Sequence, residues 1–152
     1  MTDRPSTPIP GFAGTPDPLA QAGETVSRLR RVPGIDVDAG LAFVGNSLDV
    51  YARLLGRFVQ LHEHDVHELV SRAERADDSA VQRLAHSIKG GAATLGVTGM
   101  AKLAQQLEQA TRADEPPRAR IVELARAMLT DHAALSSHLA QLPVAGPPAQ
   151  GA

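Results

Sequence analysis

The run His86-Ser87-Ile88-Lys89-Gly90-Gly91-Ala92-Ala93-Thr94-Leu95-Gly96 carries apolar residues at helical spacing and, inside that spacing, two adjacent glycines. Each glycine in a helix interior costs about 1 kcal/mol relative to alanine. A helix that accepts this cost, and sets a lysine three residues after a histidine, is a candidate site as well as an element of the fold.

On a helical wheel of about 100° per residue with Val81 at zero, Leu84, Ala85, Ile88, Ala92 and Leu95 all fall within about 60°. That is the buried stripe of an amphipathic helix. His86 falls at about 140°, Gly90 at about 180°, Ala93 at about 120° and Lys89 at about 80°. His86 is therefore expected to point away from the core, beside Lys89. Gly90 and Ala93 leave the helix surface around it bare enough for another protein to approach. Gly91 lies on a different side and is expected to serve helix packing.

The neighbouring segments continue the pattern in both directions. Asp77-Asp78-Ser79 opens the site helix and Gly96 closes it. Upstream, Ser47 is the expected N-cap of a long helix over about 48–75, with Tyr51, Leu55, Phe58, His62, Val66 and Leu69 spaced by three and four. Before it, Asp36 to Ala39 opens a short helix over about 38–44, ended by Gly45-Asn46. Downstream, Thr98 is the expected cap of a helix over about 99–113. After Pro116-Pro117, a last helix covers about 118–141. No strand pattern occurs. Four substantial amphipathic helices on short connections predict an all-α fold, an antiparallel four-helix bundle with a short additional N-terminal helix.

The bundle is expected to occupy 35–142. Residues 1–34 hold six of the 11 prolines and predict a Pro-rich disordered leader or linker, in which Glu24 to Arg31 forms at most a helical turn or two. Residues 143–152 read as a disordered tail.

Composition narrows the function classes. A length of 152 residues suggests one domain. With 3% aromatic residues and no Trp, the core must be Leu, Val and Ala. A net charge of −2 lacks the basic footprint of a nucleic-acid binder. The absence of Cys excludes disulfides, thiolate metal sites and a cysteine nucleophile. No apolar run approaches the ~18 residues of a membrane span, and the first residues lack a signal-peptide pattern. The expected location is the cytoplasm, with no membrane or nucleic-acid partner.

A solvent-exposed imidazole titrates near ~6.5, so much of it is neutral at neutral pH. A neutral ring nitrogen is a nucleophile able to take a phosphoryl group. An ammonium at i+3 can offset the charge on the transferring oxygens.

His86-Ser87-Ile88-Lys89-Gly90-Gly91, followed by Leu95-Gly96, resembles the signature of histidine phosphotransfer (HPt) domains, the phosphocarriers of bacterial multistep phosphorelays. The likeness extends to the entry segment Pro33 to Leu41, to Tyr51 through Phe58, and to Leu103 through Ala110. It covers about residues 33–142. The resemblance implies that His86 is the phosphoacceptor, that Lys89 steadies the phosphoryl group, and that Gly90 gives room to a docking receiver domain. Gln82, Arg83 and Ala93 would complete the docking rim. From the next helix, Glu108, or Gln105 one turn earlier, would orient the histidine. It further implies response-regulator receiver domains and a hybrid histidine kinase as partners, Mg²⁺ supplied by the receiver, and no cofactor or metal of the chain's own; a monomer is the default expectation.

No phosphate loop or glycine-rich ATP box occurs in these residues, so a carrier rather than a kinase is expected. The same run also resembles the phosphoacceptor domain of chemotaxis histidine kinases, and a fragment of such a kinase is one alternative. A helical adaptor without phosphoryl transfer is another. A metal protein is a third: His62, His64 and His67 cluster with Glu63, Asp65 and Glu68, but no matching ligand set accompanies them, and His132 and His138 stand apart.

Overall fold

Side-chain caps set where most of the helices begin. In the computed structural model, which describes residues 17–142, six helices and no strand form among the described residues. They are α1 (Pro18–Arg30), α2 (Val37–Phe43), α3 (Leu48–Glu74), α4 (Asp78–Thr94), α5 (Thr98–Thr111) and α6 (Arg118–Ala140). Asp17, Asp36, Ser47 and Asp77 each accept a hydrogen bond from a backbone N–H in the first turn, at 3.1, 3.1, 3.4 and 3.2 Å. Each bond satisfies a donor that the helix itself leaves unpaired. Thr98 departs from its expected capping role. It is the first residue of α5, and its hydroxyl donates to the Gly34 carbonyl at 3.2 Å instead.

The long helices α3 to α6 build the bundle. α3 packs on α4 and α6, and α5 packs on the same two, closing a ring of four. The connections are short, so helices adjacent in sequence run antiparallel. Tyr51, Leu55, Val66 and Leu69 from α3 meet Val81, Ala85, Ile88 and Ala92 from α4 in one core with Met100 and Leu107 from α5 and Ile121 and Met128 from α6. Among the described residues no helix is long and apolar enough to cross a membrane.

The leader expectation needs a correction. Residues 18–30 form α1, and the chain after it is stitched to the bundle. Proline at the first helical position costs nothing, because its missing N–H is one the helix would leave unpaired. The helix then buries Thr25 and Leu29, and Val32 follows them into the core. Burying a leucine contributes about 1.5–3 kcal/mol toward ordering a helix that a proline-rich window hides. Residues 1–16 and 143–152, where the rest of the leader and the expected tail fall, lie outside the described residues.

The α4–α5 turn carries the end of the site helix and is held from two sides. Asp36 N–H donates to the Gly96 carbonyl at 2.7 Å, and Gly99 N–H to the Gly34 carbonyl at 3.0 Å. Gly96 has φ +72°, and a Cβ there would collide with the Asp36 carbonyl oxygen. From α3, the buried Tyr51 hydroxyl donates to the Leu95 carbonyl at 2.8 Å. Burial, and the nearby charge of Asp36, push its phenol up to about 12. At the opposite end Arg118 grips Asp78 with two bonds of 2.8 and 3.0 Å, tying the start of α6 to the start of α4.

Candidate functional site

The two glycines of α4 divide their work as the wheel suggests. A Cβ on Gly91 would stand 3.1 and 3.2 Å from ring carbons of Phe58 and 3.6 Å from His62 Nε2, so Gly91 lets α3 and α4 pack closely. A Cβ on Gly90 would meet nothing within 4 Å. No internal packing requires that glycine. It lies on the exposed face with Arg83, His86 and Ala93.

His86 stands on this face with 74% of its side chain exposed. Below it, α5 contributes Glu108, whose side chain is only 4% exposed. The packing of α4 on α5 brings the two together across 22 positions of sequence, and His86 Nδ1 donates to Glu108 Oε1 at 3.2 Å. Lys89 Nζ lies 3.1 Å from each carboxylate oxygen. Arg112, one turn beyond Glu108, approaches Oε2 at 3.5 Å. Burial alone would push the Glu108 carboxyl up. The hydrogen bonds from Lys89 and His86 outweigh it and hold the group below its ordinary value. Glu108 is thus a buried anion shared by a lysine, a histidine and an arginine.

This arrangement fixes the ring. With Nδ1–H given to the carboxylate, the lone pair of the neutral imidazole belongs to Nε2. No hydrogen bond engages Nε2 among the described residues. A side-chain nucleophile on an open helix face, with cations beside it and a buried carboxylate behind it, suits attack on an anionic electrophile such as a phosphoryl group.

The structure brings His86, Lys89, Gly90 and Glu108 to one place. Gln105 is exposed and makes no hydrogen bond to the ring, so the orienting contact is Glu108's. Gln82 and Arg83 line a shallow open depression next to His86, together with Ser79 and Arg112. With its amide oxygen turned to the guanidinium, Gln82 accepts from Arg112 Nε at 2.7 Å and Nη2 at 3.3 Å. Arg112 was not singled out from the sequence. Its signal there is the i,i+4 spacing from Glu108, which gains meaning only once Glu108 is known to lie under the histidine.

His62, His67, His132 and His138 are each engaged by a hydrogen bond elsewhere in the fold. His62 turns its ring into the core, 4.9 Å from the Phe58 ring between centroids, with Nδ1 on Asp65 at 2.9 Å. His67 Nδ1 bonds the Glu63 carbonyl, and the buried His132 donates from Nε2 to the Val59 carbonyl. Among the described residues no three His, Asp or Glu side chains converge as a metal site would need.

The family model described as Hpt domain matches residues 53–141. No curated protein and no solved structure matches the chain.

Proposed function

The chain belongs to the Hpt domain family, and on that premise we propose that His86 accepts a phosphoryl group from a receiver-domain aspartate and passes it to another receiver domain. The observation that carries this reading is the exposed His86 ring with Nδ1 held by a buried carboxylate and Nε2 left open.

The chemistry follows from that geometry. The Nε2 lone pair attacks phosphorus, and the N–P bond forms as the P–O bond to the aspartate breaks. The aspartate carboxylate leaves with the electron pair. The ring becomes a phosphorylated imidazolium whose Nδ1–H still points at Glu108, and the carboxylate offsets its charge. In the onward step a second aspartate attacks phosphorus and the neutral imidazole leaves. No proton has to move in either direction, because Nδ1–H stays on its partner throughout. Lys89 keeps Glu108 ionised in its buried place.

The Mg²⁺ of the reaction belongs to the receiver, and a hybrid histidine kinase stands upstream. Docking uses the bare patch at Gly90 and Ala93 with Gln82 and Arg83 on its rim. Such encounters are transient and bury little surface. The protein works as a cytoplasmic monomer and a carrier, without kinase activity of its own.

The test is direct. Mixing the full chain with phosphorylated receiver domains is expected to give an acid-labile, base-stable label, lost in His86→Gln. No label in the wild-type protein with several receivers, or a label that survives His86→Gln, overturns the proposal.

A further inference from the structure

We propose that Arg112 is the side chain that holds the phosphoryl group carried on His86, while Lys89 is committed to Glu108. This inference rests on the phosphocarrier reading above and changes which cation of the site meets the cargo.

The two cations are held very differently. Lys89 lies 3.1 Å from both oxygens of Glu108, and its side chain is 33% exposed. Swinging it onto a phosphoryl group would strip a buried carboxylate of its closest charge, and a buried ion without its partner is strongly destabilising. Arg112 sits 3.5 Å from Glu108, and its side chain is 62% exposed. That distance is longer than the 3.1 Å of Lys89, so Glu108 depends less on Arg112 than on Lys89.

Position favours Arg112 as well. Arg112 and His86 line the same open depression, with Ser79, Gln82 and Arg83, and Lys89 is not part of that lining. Gln82 anchors the guanidinium through Nε and Nη2. Nη1 makes no hydrogen bond among the described residues. An arginine anchored on one edge, with donors free on the other, is suited to grip phosphate oxygens in pairs.

Charge supplies the need. A phosphoryl group brings between one and two negative charges at neutral pH. Attached to His86, it comes close to the Glu108 carboxylate, which repels it. A cation that sits beside Glu108 and lines the same depression as His86 relieves that repulsion. Arg83 lines the depression too, but no ion pair among the described residues fixes it there.

The experiment labels the full chain with a phosphoramidate salt, which needs no docking partner. It then follows the phosphohistidine by ³¹P NMR and by the decay of the label. In Arg112→Gln the label is expected to form on His86 and decay roughly fivefold faster, as loss of a charge-assisted contact predicts. The second ionisation of the phosphoryl group should move up by about half a unit or more, since a nearby cation favours the dianion. Arg112→Lys should lie between Arg112→Gln and wild type, and Gln82→Ala should shorten the lifetime in the same direction. Equal lifetimes and equal titrations in wild type and Arg112→Gln overturn the assignment to Arg112 and leave the carrier reading standing. A wild-type protein that takes no label on His86, from phosphoramidate or from receivers, overturns both.

Discussion

His62 and His86 both set Nδ1 on a carboxylate, yet the two pairs are built inside out. In the first, the ring is 5% exposed and Asp65 is 28% exposed. In the second, the ring is 74% exposed and Glu108 is 4% exposed. The His62 ring is covered by α4, with Nε2 close to where a Cβ on Gly91 would stand. A carboxylate on Nδ1 therefore does not by itself make a nucleophile. What matters is which member of the pair the fold buries. Burying the ring yields a packing element, whereas burying the carboxylate orients the ring and leaves Nε2 open.

The sharpest way to break this contrast is to replace each ring. His86→Gln should abolish the phosphoryl label and lower stability by no more than about 1 kcal/mol, the scale of the one hydrogen bond the ring gives to Glu108. His62→Gln should keep the label and lower stability by about 1–3 kcal/mol, because a buried polar side chain loses its fitted place. Label counting and thermal melts on both variants check this. Loss of label in a well-folded His62→Gln would erase the distinction.

The carboxylates come next. Glu108→Gln should slow transfer roughly tenfold or more, the scale on which groups that orient a reactive side chain act, whereas Asp65→Asn should transfer at the wild-type rate. Rapid-quench transfer kinetics separate the two. Acid melts add a second test. The Glu108 carboxyl is held below its ordinary value of 4.5 by Lys89 and His86, against the upward push of burial. A carboxyl depressed by folding stabilises above that ordinary value and loses its contribution as pH falls through the lowered one. Wild type should therefore lose stability relative to Glu108→Gln only below about pH 4.5. A difference that first opens near neutral pH contradicts this.

The glycines give the smallest effects. Gly90→Ala should raise stability by up to about 1 kcal/mol, since it gains helix propensity and meets nothing, and should slow docking-dependent transfer. Gly91→Ala should end below wild type, because moving the buried Phe58 ring costs about 1–3 kcal/mol against the same propensity gain. Chemical denaturation of the pair resolves the sign.

The bundle helices were readable from the spacing of Tyr51 to Leu69 and of Val81 to Leu95, because those stripes repeat over many turns. His86, Lys89 and Gly90 were readable because one helix fixes their mutual angles. Glu108 could be reached through spacing on the following helix and a family likeness. Arg112 could not, since its place depends on how α5 lies against α4 and on Gln82 from the other helix. α1 was missed because six prolines in 34 residues dominate its window, while the burial of Leu29 that orders it is a tertiary contact. Thr98 was misassigned for a related reason: the Gly34 carbonyl, 64 residues away, claims its hydroxyl.

The central claim is that burial of Glu108 dedicates Nδ1 of His86 to hydrogen bonding and Nε2 to phosphoryl transfer. Nitrogen-15 and phosphorus-31 NMR of the phosphorylated protein reports which ring nitrogen carries phosphorus. The account predicts phosphorus on Nε2, with Nδ1 protonated and coupled to its hydrogen. Phosphorus on Nδ1, or on any residue other than His86, would contradict it.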